Sequence, residues 1–171
     1  MTTDYTTSFQ VALYLTTLLV TIVFAWVLVF AIVIMPGIAK LEDGGYLRAF
    51  QVIDGIIQNN QPIFVLVWIG SAIAAITLNI LTLTQLENDE NDTKALVTVA
   101  VILYLLSQVS TFTNNVPLNN RVQTLQVDQM DNYSKQAERE KFEGPWVFWN
   151  NLRTVVMGVS SLYFLYLTLN I

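Results

Sequence analysis

From Phe9 to Met35 the chain has no Asp, Glu, Lys or Arg, and Leu18 to Ile34 is an almost unbroken series of aliphatic and aromatic residues. A helix in water needs a polar face, and this stretch has none. A hydrocarbon layer about 30 Å thick is crossed by roughly 20 mostly apolar residues in helix, because strands and loops would leave backbone groups unpaired in lipid. Four stretches meet that requirement, at about 9–35, 62–83, 94–114 and 149–169. With 54% of residues hydrophobic and 12% charged, a water-facing surface is hard to build. The expected fold is all-α: an integral membrane four-helix bundle, one transmembrane domain over residues 1–171. A cleaved signal peptide is disfavoured, since the first run is too long and Asp4 precedes it where a basic leader belongs.

Basic residues set the expected orientation. Lys40 and Arg48 fall in the first loop, and Arg121, Lys135, Arg139, Lys141 and Arg153 in or beside the third, whereas the second has only Lys94 at its edge. By the positive-inside tendency, loops one and three face the cytoplasm and both termini lie outside, in the plasma (inner) membrane. The acidic second loop, from Glu87 to Asp92, then forms a short external turn.

The chain contains no cysteine and no histidine. That removes disulfides, thiolate redox pairs, histidine-ligated haem, and zinc or copper sites of the usual kind. The predicted spans contain no acid, so no carboxylate metal cluster is expected, and neither metal nor cofactor is assigned. A net charge of −5 without a basic patch argues against nucleic acid.

Polar residues gather where the apolar runs end: Met35-Pro36-Gly37, Asn115-Val116-Pro117-Leu118-Asn119, and Trp146 to Arg153. In alternating spans these clusters meet at one mouth of the bundle. Pro36 and Gly37 are suited to ending the first helix. In the first loop, Leu47, Phe50, Ile53 and Ile57 recur at helical spacing, which predicts a short interfacial helix over about 46–58. It either lies in the headgroups or acts as a lid that brings Arg48, Gln51 or Asp54 to a site. The amides of Gln58, Asn59, Asn60 and Gln61 suit capping of the second span.

In the third span Tyr104, Gln108, Thr111 and Asn115 follow at intervals of four, three and four, forming one polar stripe. Such a stripe either hydrogen-bonds to other helices or lines a cavity. Arg153 stands one turn inside the fourth span, with Trp149 and Asn150 on the same helical side. It either snorkels to the interface against an indole or anchors an anion, with Asn150 and Asn115 beside it.

These motifs, in this order, together with Arg48-Ala49-Phe50-Gln51 and Asn60-Gln61-Pro62-Ile63-Phe64, resemble the anthrone oxygenase family over nearly the whole chain. The resemblance implies a four-helix membrane protein and, from its fungal members, oxidation of an anthrone to an anthraquinone by molecular oxygen without a recognised cofactor. Many bacterial relatives have no assigned reaction, and with no histidine present a histidine base does not apply. Arg153, Asn115 and Asn150 would do the chemistry, while Asn119, Thr111, Gln108, Tyr104, Trp149, Arg48 and Gln51 would surround a small hydrophobic or aromatic substrate. Asp54, Glu143 and Tyr104 are the candidate bases, each requiring burial or a shifted pKa.

A second function fits the same residues: a non-enzymatic accessory subunit that binds lipid, quinone or pigment, as a homo-oligomer or within a larger membrane complex. The charged third loop, from Arg121 to Glu143, would then be a solvated face or a docking surface. A transporter fits less well, because there is no internal repeat and no acid within a span.

Overall fold

In the computed structural model of the protein, residues 7–86 and 92–170 are described; most of the acidic second loop lies outside them. The described residues form helices α1 (Thr7–Ile38), α2 (Asp43–Gln58), α3 (Pro62–Gln85), α4 (Thr93–Gln123) and α5 (Asn132–Asn170), with a short 3-10 turn at Val127–Gln129. Helices α1, α3, α4 and α5 are each long and apolar enough to cross a membrane. The protein is an all-α integral membrane bundle.

The polarity of the bundle suits lipid. Val11, Leu18, Ile32, Leu66, Ile73, Phe112, Val155 and Leu162 all face outward, while small hydroxyls pair between helices. Thr17 meets Thr168 and Thr21 meets Ser161, each at 2.9 Å. Ser160 Oγ donates to the Ala100 carbonyl at 2.8 Å. With lipid as apolar as any side chain, such close polar contacts and small residues hold helices together. Gly158 permits one of these approaches, since a Cβ there would meet the Phe24 ring at 3.1 and 3.3 Å. Replacing Gly158 with Leu is therefore expected to part α1 from α5 and cost about 1–3 kcal/mol, read as a lower melting temperature in detergent.

Pro36 and Pro117 do not end their helices. Each sits just after one widened π turn, Phe30–Ile34 and Thr111–Asn115, beyond which α-helix resumes to Ile38 and to Gln123. Proline lacks the N–H for the carbonyl four residues back, and its ring collides with that carbonyl. Widening the preceding turn to five-residue hydrogen bonds, from Met35 N to Phe30 O and from Val116 N to Thr111 O, lets the helix continue. The third span thus extends well past Asn114. The fourth helix begins at Asn132, seventeen residues before its expected start at 149, with Pro145 inside it.

Two apolar cores result. The larger, from Phe9 and Leu13 through Tyr104 to Met157 and Phe164, fills the bundle. The smaller lies at the mouth, where Met35, Tyr46, Leu47, Phe50, Val122, Phe142 and Trp146 pack α2 against the ends of α1, α4 and α5. Helix α2 buries Tyr46, Leu47, Phe50 and Asp54, whereas Ile53 and Ile57 are only partly covered, so its inward face is rotated from the one its apolar spacing predicts. Asp54 turns inward because amide donors await it there. Glu42 caps α2 by accepting from the N–H groups of Gly44 and Gly45, and Gln61 caps α3 by accepting from that of Phe64. Asn60, at φ 58°, takes the left-handed conformation between the two helices that asparagine tolerates.

Several of the third-loop charges are engaged within the chain. Arg139 donates to the carbonyls of Ala39 and Leu41 and to Asp43 and Glu143, and lies 4.4 Å above the Tyr46 ring. It fastens the end of α1 and the start of α2 to α5. Arg121 and Lys141 both bind Glu138.

Candidate functional site

Between the two cores is a cavity of about 300 Å³. Trp26 and Phe30 from α1, Phe50 from α2, Phe64 and Trp68 from α3, and Trp146 from α5 give it aromatic walls. Phe64 stacks between Trp26 and Trp68, with ring centroids 4.9 and 5.1 Å apart. Its polar lining comes from Asp54, Asn60, Thr111, Asn119 and Arg153. Ile69 and Phe112 line it while also lying on the outer apolar face, so it opens sideways between α3 and α4.

Arg153 is buried, 7% exposed, and reaches into the bundle rather than out to the interface. Its Nε and Nη2 donate to Asn150 Oδ1 at 3.2 and 2.8 Å, and Nη1 donates to Thr111 Oγ1 at 3.0 Å. Both acceptors are neutral, and no carboxylate pairs with Arg153 among the described residues. A guanidinium has five N–H groups, so two remain. Asn150 is itself anchored by donating to the Val27 carbonyl, just before the widened turn of α1. The widened turn of α4 begins at Thr111, the other residue holding Arg153.

Asp54 lines the same cavity from α2. It is 2% exposed and accepts from Asn119 Nδ2 at 2.8 Å, Gln58 Nε2 at 2.7 Å and Gln123 Nε2 at 2.9 Å. Burial pushes its carboxyl above the usual range, and the three amide donors act in the opposite direction. Asn119 Oδ1 in turn accepts from the Trp146 indole at 2.6 Å.

The stripe on α4 divides. Tyr104 bonds to Ser71 on α3 beneath the cavity, an interhelical tie, and Gln108 donates to Ser107. Thr111 lines the cavity, and Asn115 donates to the Trp146 carbonyl at 3.2 Å. Gln108 Oε1 and Asn115 Oδ1 are buried without a protein partner. The remaining candidates stand outside the cavity. Trp149 packs edge-on against Phe148, Arg48 pairs with Asp128 at the surface, and Gln51 donates to the carbonyls of Val122 and Leu125. Glu143 is held by Arg139. Trp146 occupies the place beside Arg153 for which Trp149 was the candidate, its ring 5.9 Å from the guanidinium carbon. Helical spacing alone could have suggested it, as residues seven apart share a face. Among the described residues no three Asp or Glu converge on a point where a metal ion could be held.

The fold and site define a membrane four-helix bundle with an aromatic cavity at one mouth, bearing a buried arginine and a buried aspartate. The chain belongs to the anthrone oxygenase family, whose model matches residues 58–163. No match is found among curated proteins or among solved structures.

Proposed function

We propose that the protein oxidises an enolisable, phenolic aromatic of the anthrone type within this cavity, with molecular oxygen and no cofactor. The observation that carries the reading is Arg153: a buried cation with two free N–H groups and only neutral partners, set in an aromatic-walled space. A buried charge left uncompensated is costly, so its retention favours a role in which an anion arrives or forms beside it. When the substrate loses a proton from its CH2 group, the negative charge moves to the ring oxygen, where Arg153 stabilises it. Asn150 and Thr111 fix the guanidinium, and Asn119 lines the cavity where it meets a substrate oxygen.

The carbanion then gives one electron to oxygen, the radical and superoxide recombine to a peroxide anion, and return of the proton taken in the first step yields a hydroperoxide. Loss of water from it leaves the quinone carbonyl, so one O2 supplies one oxygen to the product and one to water. The cavity's apolar walls exclude bulk water from the carbanion. The sideways opening between α3 and α4 suits a substrate dissolved in the bilayer, and the excess of basic residues in loops one and three supports a cytoplasmic mouth.

The test uses purified protein in detergent. Anthrone should cause oxygen uptake with one O2 consumed per anthraquinone formed, and should quench tryptophan fluorescence, since Trp26, Trp68 and Trp146 line the cavity. Quenching without uptake would overturn the oxidase reading and leave a ligand-binding protein.

A further inference from the structure

We propose that Asp54 is the proton acceptor of this cavity, the carboxylate that takes the substrate's proton while Arg153 faces the resulting oxyanion; the inference rests on the oxidase reading above. Of the three candidate bases, only Asp54 lines the cavity: Glu143 is tied to Arg139, and Tyr104 bonds to Ser71 beneath. An ionised carboxylate has about four acceptor positions. Amides fill two on Oδ2 and one on Oδ1, which leaves one position on Oδ1.

The surrounding network makes residue 54 an acceptor on both sides. The Trp146 indole can only donate, so it must meet the oxygen of Asn119, and the Asn119 amide nitrogen must then face Asp54. On the other side, Gln123 Nε2 also donates to the Gln51 carbonyl, which can only accept, and this turns the same nitrogen toward Asp54 Oδ2. No cation pairs with Asp54 among the described residues. The carboxylate is thus held in its proton-accepting form by neutral donors alone, which leaves it more basic than an ion pair would.

In the step itself, a C–H bond of the substrate breaks and its proton goes to Asp54 Oδ1. The electron pair passes through the ring to the carbonyl oxygen, which becomes the oxyanion beside Arg153. The reverse transfer returns a proton to carbon, so without oxygen the step is an exchange with solvent.

That exchange separates the base from the oxidation. Wild-type protein with anthrone in anaerobic heavy water should place deuterium on the CH2 carbon faster than the protein-free background, followed by NMR. Asp54→Asn should lower the enzymatic exchange by about 100-fold or more, and oxygen uptake with it, while anthrone still quenches tryptophan fluorescence. Asp54→Glu should keep measurable exchange with the acid limb of its pH profile displaced from that of wild type. The groups facing Asp54, namely Gln58, Gln123 and Asn119, do not titrate, and the charged side chains Arg121, Glu138, Arg139 and Glu143 on the neighbouring helices are paired with one another. Exchange and uptake retained in Asp54→Asn, or an unchanged acid limb in Asp54→Glu, would overturn the assignment of the base and leave the oxidase reading standing. Wild-type exchange without any oxygen uptake would overturn the oxidase reading instead.

Discussion

Replacing Arg153 with Met should reduce oxygen uptake with anthrone by about 100- to 1000-fold, the loss expected when a preorganised donor to a developing oxyanion is removed, while the protein melts no lower than wild type. The two halves of that result together test the site. Arg153 has no carboxylate partner among the described residues and sits against Thr111, Asn150 and the Trp146 ring. Exchanging an uncompensated buried charge for an apolar side chain of similar length removes its desolvation cost of several kcal/mol, which offsets the about 1–3 kcal/mol of leaving Asn150 Oδ1 without its donors. A structural arginine would behave in the reverse way, with stability falling and any activity falling in step. Arg153→Lys should recover only part of the rate, because an ammonium with three N–H groups cannot bridge Thr111 and Asn150 and still present two more. Steady-state uptake and a detergent thermal melt on the same preparations decide the matter.

The largest loss of stability should come from Trp146→Ala, at about 3–5 kcal/mol and a fall in melting temperature on the order of 10 °C. Trp146 is 2% exposed and packs against Phe30, Phe50 and Phe142, with ring centroids 5.8, 5.5 and 6.2 Å away. Its removal would empty the centre of the small core that holds α2 over the cavity. Trp146→Phe separates packing from hydrogen bonding. The ring remains, but Asn119 Oδ1 loses its donor, at about 1–3 kcal/mol, and the Asn119 amide is no longer obliged to point its nitrogen at Asp54. Trp146→Phe should therefore melt well above Trp146→Ala yet still lose a measurable part of the deuterium exchange. If both variants melted like wild type, the mouth core would not be what positions α2.

The four spans were legible because lipid imposes one rule on a long segment, and a run such as Leu18 to Ile34 satisfies it in only one way. The polar stripe on α4 and the placing of Asn150 beside Arg153 followed from helical spacing alone. Other features depended on contacts between distant segments. Asp54 sits among apolar residues, and nothing nearby in sequence shows that Asn119 and Gln123, more than sixty residues away, will donate to it. Its inward turn also rotates the face that α2 buries. Pro36 read as a helix end because the usual cost of proline inside a helix argues for a stop; the alternative, a single widened turn, is tolerated when other helices pack around it. Gln51 and Arg48 read as site residues from motif position, and contacts to Val122, Leu125 and Asp128 draw them elsewhere.

The sequence by itself determined that this is an all-α membrane protein, which ends of its spans are polar, and that thiol and imidazole chemistry are absent, since each follows from composition and periodicity within single segments. Only the tertiary structure decided that Arg153 and Asp54 line the same aromatic cavity, because that depends on two helices continuing past their prolines and on α2 folding back beneath Trp146. Lipid selects helices one at a time, and a cavity exists only between them.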